Sequence, residues 1–156
     1  MTREDVVLRK LGHLQRSCEY LRGVQGVSKV RFMKDRTVQL AVERAFQEAV
    51  EACLDIGRML LADAAVGLPD TNRGVFVALG QHGLVPEERV EHWADMAGVR
   101  NVLVHGYDNV DLDIVYRALE ERLEDLEFFA RAILAHLERG AQPGRDGPKD
   151  VSGPPD

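Results

Sequence analysis

Aromatic side chains make up only 6% of the 156 residues, and cysteine occurs twice. Two cysteines cannot build a disulfide framework. Cys18 and Cys53 both fall at apolar positions of helical segments, so they read as reduced, buried thiols of a cytoplasmic protein, with a bridge between them as the minor alternative. No apolar run approaches the roughly 18–20 residues that a membrane helix needs. The opening Met1-Thr2-Arg3-Glu4-Asp5 is charged at once and has no apolar stretch of the secretory kind, so neither a signal peptide nor membrane contact is expected. Alternation with period two is missing, apart from the short Val102-Leu103-Val104, which excludes a sheet of any size. There is no internal repeat, no phosphate-cradling glycine loop and no nucleophile elbow. His82 and His92 have no cysteine or histidine nearby to share a metal, and His13 and His136 have no partner in sequence. A zinc site is therefore not expected, nor is a cofactor. Positive charge is also short: the net charge is −6, which argues against a broad non-specific nucleic-acid surface but leaves room for a small basic site.

What is present is helical periodicity. Hydrophobic residues reach 45% and charged residues 29%, the balance of one globular domain with a real core. Val7, Leu11, Leu14, Cys18 and Leu21 step by four and three, giving a helix over about 3–22 that Gly23 and Gly26 break. A long helix is predicted over about 34–66, on a face running from Val38 through Val42, Ala49, Cys53 and Ile56 to Leu60, closed by Gly67 and Pro69. A short helix through Val75, Phe76 and Leu79 stops at His82-Gly83. A fourth starts at Pro86 and runs to about His105, with Trp93 on its core side and Gly106 as its stop. The last helix takes Asp111 as N-cap and carries one stripe from Leu112 to Leu137, closed by Gly140. The predicted fold is all-α: an up-and-down bundle of two long and two or three shorter helices over residues 1–140. Residues 141–156 hold four of the six prolines and almost no apolar side chain, and read as a disordered tail. The apolar faces of the second and last helices are wide enough for a dimer contact besides the core.

Chemistry concentrates at the end of the fourth helix. Arg100 offers a planar fork of donors suited to a phosphate. His105 is the side-chain type whose unperturbed pKa suits proton transfer near neutrality. Tyr107 adds a donor or a stacking ring. Five residues along a helix turn about 140°, so Arg100 and His105 do not share a face, whereas Asn101 and His105 do. A site using both Arg100 and His105 is easier to build if the helix frays at His105, or if two copies of the chain meet there. By residue type alone, a solvated arginine, a histidine favoured by the helix dipole and a packing tyrosine explain the same pattern.

The spacing Arg-x4-His-x-Tyr, here Arg100, His105 and Tyr107, resembles the motif of the HepT toxins within the HEPN superfamily. The surroundings are similar too. Ala41-Val42-Glu43-Arg44-Ala45-Phe46-Gln47-Glu48-Ala49 with Asp55-Ile56 is like that family's long second helix. Met96 to Tyr107 is like its active-site helix, and Asp111-Leu112-Asp113-Ile114-Val115-Tyr116 like the opening of its last helix. The resemblance covers about residues 6–137. It implies an all-α homodimer that cleaves RNA without a metal, with Arg100 and His105 catalytic and Asn101 and Tyr107 supporting. It also implies a partner, an MntA-like minimal nucleotidyltransferase antitoxin, that transfers AMP onto Tyr107.

One basic cluster lies apart from the motif. Lys29, Arg31, Lys34 and Arg36, with Phe32 among them, read either as a weak RNA guide or as the solvated start of a helix. Two functions of different class follow for the whole chain: a ribonuclease toxin, or a non-catalytic helical subunit that binds or scaffolds a nucleotidyltransferase.

Overall fold

The computed structural model describes residues 1–105 and 110–141, and of Val104, His105 and Ala141 the backbone only. Among the described residues every regular element is helical. They are α1 (Arg3–Val24), α2 (Lys29–Lys34), α3 (Arg36–Asp63), α4 (Asn72–Gln81), a 3-10 turn (Glu87–Arg89), α5 (Val90–His105), α6 (Leu112–Glu121) and α7 (Leu123–Ala141). The helix starts follow side-chain chemistry. Thr2 and Asp5 form a reciprocal cap at α1. Asp35, Thr71 and Asp111 accept from the first turns of α3, α4 and α6, each taking up a backbone N–H the helix cannot satisfy itself.

The core lies along the seam where α1 packs most extensively on α3, with α4, α5 and α7 closing round the far side. Trp93 of α5 is completely buried, edge-on to Phe129 at 5.3 Å, with its indole N–H donating to the Asp125 carbonyl at 2.9 Å. The Asp125 carboxylate, also buried, takes Arg89 at 3.0 Å and Arg122 at 3.6 Å, which anchors the start of α5 to α7. At Gly57 α3 leaves no room for a side chain against α4: a Cβ there would stand 2.8 Å from Val75 Cγ1. Both cysteines are buried and free. Burial and the Glu127 charge push the Cys18 thiol up to about 12, and burial pushes the Cys53 thiol up as well.

Four details differ from the sequence reading. The helix predicted over 34–66 starts at Arg36, because Asp35 leaves helical geometry to cap it, and residues 29–34 before it form a short helix of their own, α2. Its far end comes at Asp63, and the left-handed residue there is Ala65 (φ 56°), ahead of Gly67; the Val66 N–H then reaches back to the Leu61 carbonyl at 3.0 Å. The single last helix is divided at Arg122, where α6 turns its Tyr116 toward α2 and α7 turns toward α1 and Trp93. Gly140 does not close α7, which runs on to Ala141. Among the described residues seven α-helices thus replace the four or five expected, without changing the fold class.

Candidate active site around Arg100

Arg100 lies in the third turn of α5, whose Trp93, Met96 and Ala97 are buried in the core. That packing brings its guanidinium against α3. Nη2 donates to Glu51 Oε1 at 3.0 Å, a charge-assisted bond between side chains 23% and 41% exposed. The Arg100 Nε is buried and, among the described residues, has no hydrogen-bond partner. A polar cavity of about 180 Å³ opens beside it, lined by Glu51, Leu54, Asp55, Arg58, Asn72 and Arg100. α3 contributes four of these residues, and α4 contributes its first. A second guanidinium therefore stands near the first: Arg58 Nη2 donates to Asn72 Oδ1 at 2.7 Å. Lys10 from α1 holds Asp55 Oδ2 at 3.1 Å.

His105 is the last helical residue of α5, about 140° round the helix from Arg100. Asn101 is exposed, one turn before His105 on the same side of α5. Tyr107 lies outside the described residues, as do Gly106, Asp108 and Asn109.

The basic cluster is a helix of its own, α2, capped by Ser28. Lys29, Arg31, Lys34 and Arg36 are all exposed. Phe32 is completely buried against Tyr116, ring centres 5.4 Å apart, and so is not available to stack on a base. Lys29 pairs with Asp113 at 2.7 Å, which ties α2 to the start of α6, and Arg36 reaches Gln39 Oε1 at 3.3 Å. Arg36 and Glu51 are fifteen residues apart on α3, about 22 Å, so this cluster does not share the Arg100 cavity. Glu51, Arg58 and Asn72 are what sequence reasoning missed. Glu51 and Arg58 stand seven residues apart on one face of α3, but nothing in sequence tied that face to Arg100. Glu51 sits with Glu48, Asp55 and Arg58 on the charged face of α3, where no single charge stands out.

Residues 13–133 match the family described as ribonuclease HepT-like. The chain is 31% identical to the mRNA nuclease HepT of Shewanella oneidensis, over 84% of this chain and 98% of that one. It is 29% identical to the tRNA nuclease HepT of Aphanizomenon flos-aquae, over 87% and 88%. A solved structure of the tri-AMPylated Shewanella oneidensis HEPN toxin in complex with MNT antitoxin superposes with a TM-score of 0.76 at 31% identity, covering 86% of this chain and 99% of the other. The match spans most of the helical bundle and includes the α5 residues that carry Arg100 and His105, and the chain belongs to the HepT-like ribonuclease family of the HEPN superfamily.

Proposed function

We propose that this chain is the toxin of a toxin–antitoxin pair and cleaves RNA at Arg100 and His105. The observation that carries the reading is Arg100 itself, held by Glu51 at the edge of a polar cavity five residues before His105, within the motif Arg-x4-His-x-Tyr. RNA supplies its own nucleophile, the 2′-hydroxyl next to each phosphate. The protein has only to move protons and to stabilise the charge that builds on the phosphate. His105 takes the proton from the hydroxyl or returns one to the leaving 5′-oxygen. Arg100 binds the scissile phosphate through the donors that Glu51 leaves free. Asn101 orients His105, one turn away on the same side of α5. The angular separation on α5 is met by a homodimer in which Arg100 of one copy and His105 of the other face the same phosphate. The exposed Val102 and half-buried Leu103 on this stretch give such a contact apolar surface.

The partner of this toxin is a nucleotidyltransferase antitoxin of the MntA kind, acting in the cytoplasm. It silences the site by placing AMP on Tyr107, since the tri-AMPylated relative is bound to its MNT antitoxin. Bulk and negative charge two residues from His105 block the RNA phosphate. The basic α2 guides RNA only through Lys29, Arg31, Lys34 and Arg36, as Phe32 is buried. Co-expression with the neighbouring nucleotidyltransferase, followed by intact mass and peptide mapping, tests the control. AMP additions on Tyr107, lost in Tyr107→Phe, support it. An inhibited but unmodified toxin contradicts it.

A further inference from the structure

We propose that the cavity between α3, α4 and α5 is a second phosphate site, in which Arg58 binds a phosphodiester of the RNA strand next to the one held by Arg100. The inference rests on the reading of Arg100 as an RNA ligand. Its own support is the way Arg58 is held. Asn72 Oδ1, a neutral acceptor, takes its one hydrogen bond among the described residues, at 2.7 Å. The nearest carboxylate, Asp55, stands 3.8 Å away, beyond hydrogen-bond distance, and is engaged by Lys10 at 3.1 Å. The other carboxylate of the cavity, Glu51, is engaged by Arg100 at 3.0 Å. The guanidinium is thus oriented by a neutral group, and the carboxylate within ion-pair range of it is shared with Lys10. Three cations, Lys10, Arg58 and Arg100, meet two anions, Glu51 and Asp55, which leaves one positive charge in excess on a protein whose net charge is −6.

The Arg58 side chain is 40% exposed, so a ligand reaches it from solvent. An arginine with one donor used has four left, in a fork that suits two phosphate oxygens. Arg58 and Arg100 line the same 180 Å³ cavity, so one strand meets both. Glu51 and Asp55 repel an anion placed between the two arginines. They favour a phosphate on the outer face of each guanidinium, along a strand crossing the mouth of the cavity. The competing role for Arg58 is purely structural, a clip from α3 to the first residue of α4.

Salt dependence separates the two. Each phosphate contact on a single strand contributes about 0.7 to the slope of log affinity against log salt. The probe is a fluorescent oligoribonucleotide methylated at every 2′-oxygen, which binds but has no hydroxyl to attack. Arg58→Gln is expected to flatten the slope by about 0.7 and weaken binding about tenfold at low salt, with Arg58→Lys keeping the slope. Asn72→Asp keeps the clip and strengthens it, so it preserves folding. It is expected to flatten the slope as well, because its carboxylate neutralises Arg58. Arg100→Gln is the control. If it flattens the slope while Arg58→Gln and Asn72→Asp do not, Arg58 is only a clip and the second site is wrong. If the wild type fails to bind, or Arg100→Gln changes nothing, the reading of Arg100 itself has failed.

Discussion

Replacing Glu51 by alanine removes the only partner of the Arg100 guanidinium seen among the described residues. The stability cost is small. The pair sits at the edge of a cavity, with side chains 23% and 41% exposed, so solvent screens it to about 1 kcal/mol or less. For a chain of this size that lowers Tm by about 3 °C. The catalytic cost is larger, because a guanidinium free to swing loses its aim at a charge that develops only in the transition state. A misplacement of about 1 Å costs on the order of a hundredfold in rate. Glu51→Ala is therefore expected to lower kcat between tenfold and a hundredfold while KM stays level. Removing a carboxylate beside the phosphate offsets the looser hold on substrate. Glu51→Gln keeps an acceptor oxygen at the same place and recovers most of the loss. The assay is initial-rate cleavage of a defined oligoribonucleotide over a range of concentrations, with thermal unfolding run alongside. An unchanged kcat in Glu51→Ala would refute the positioning argument. A raised KM at constant kcat would show that Arg100 contributes equally to substrate and transition-state binding.

Three further outcomes test the surrounding structure. Gly57→Ala drives a methyl to 2.8 Å from Val75 Cγ1 where α3 meets α4; after the gain in helix propensity, a net loss of about 1–2 kcal/mol is expected, read as a fall in Tm of several degrees by calorimetry. Ala65→Gly relieves a left-handed alanine and should raise Tm by about 1–2 °C, most of the relief being offset by the looser unfolded chain. Cys18, held up to about 12, carries about one thiolate in ten thousand at pH 8, and Cys53 is deeper still. Ellman's reagent should therefore find no thiol in the folded protein at pH 8 and two in guanidinium; prompt colour from the native protein would contradict the burial.

The sequence carried the fold class because the apolar stripes of α1, α3 and α7 are long and regular, and because capping residues mark the starts of α4 and α6. It missed the break at Arg122 for a physical reason. The stripe runs on through it, and the interruption is imposed by what each half packs against: Tyr116 on Phe32 on one side, Phe129 on Trp93 on the other. Gly67 drew the end of α3 toward itself by residue type, but Ala65 takes the left-handed turn because Asp63 is the last residue the packing keeps helical. Of the candidate site, Arg100 and His105 were legible as types at a spacing. Their surroundings were not: Glu51, Arg58 and Asn72 come to Arg100 from elements 49, 42 and 28 residues earlier in the chain, and only tertiary packing brings them there. The burial of Phe32, which removes the one aromatic from the basic cluster, was likewise a matter of packing.

On the proposed function, Arg100 and His105 cleave RNA through attack of the 2′-hydroxyl. The most direct measurement is to incubate the purified chain with a defined oligoribonucleotide in excess EDTA and identify both new ends by mass. In-line attack by the 2′-oxygen leaves a 2′,3′-cyclic phosphate and a 5′-hydroxyl. Those ends are expected from the wild type, none from His105→Ala or Arg100→Ala of unchanged helical signal, and none from RNA methylated at the 2′-oxygen. Cleavage by His105→Ala at the wild-type rate, or a 5′-phosphate on the product, would contradict it.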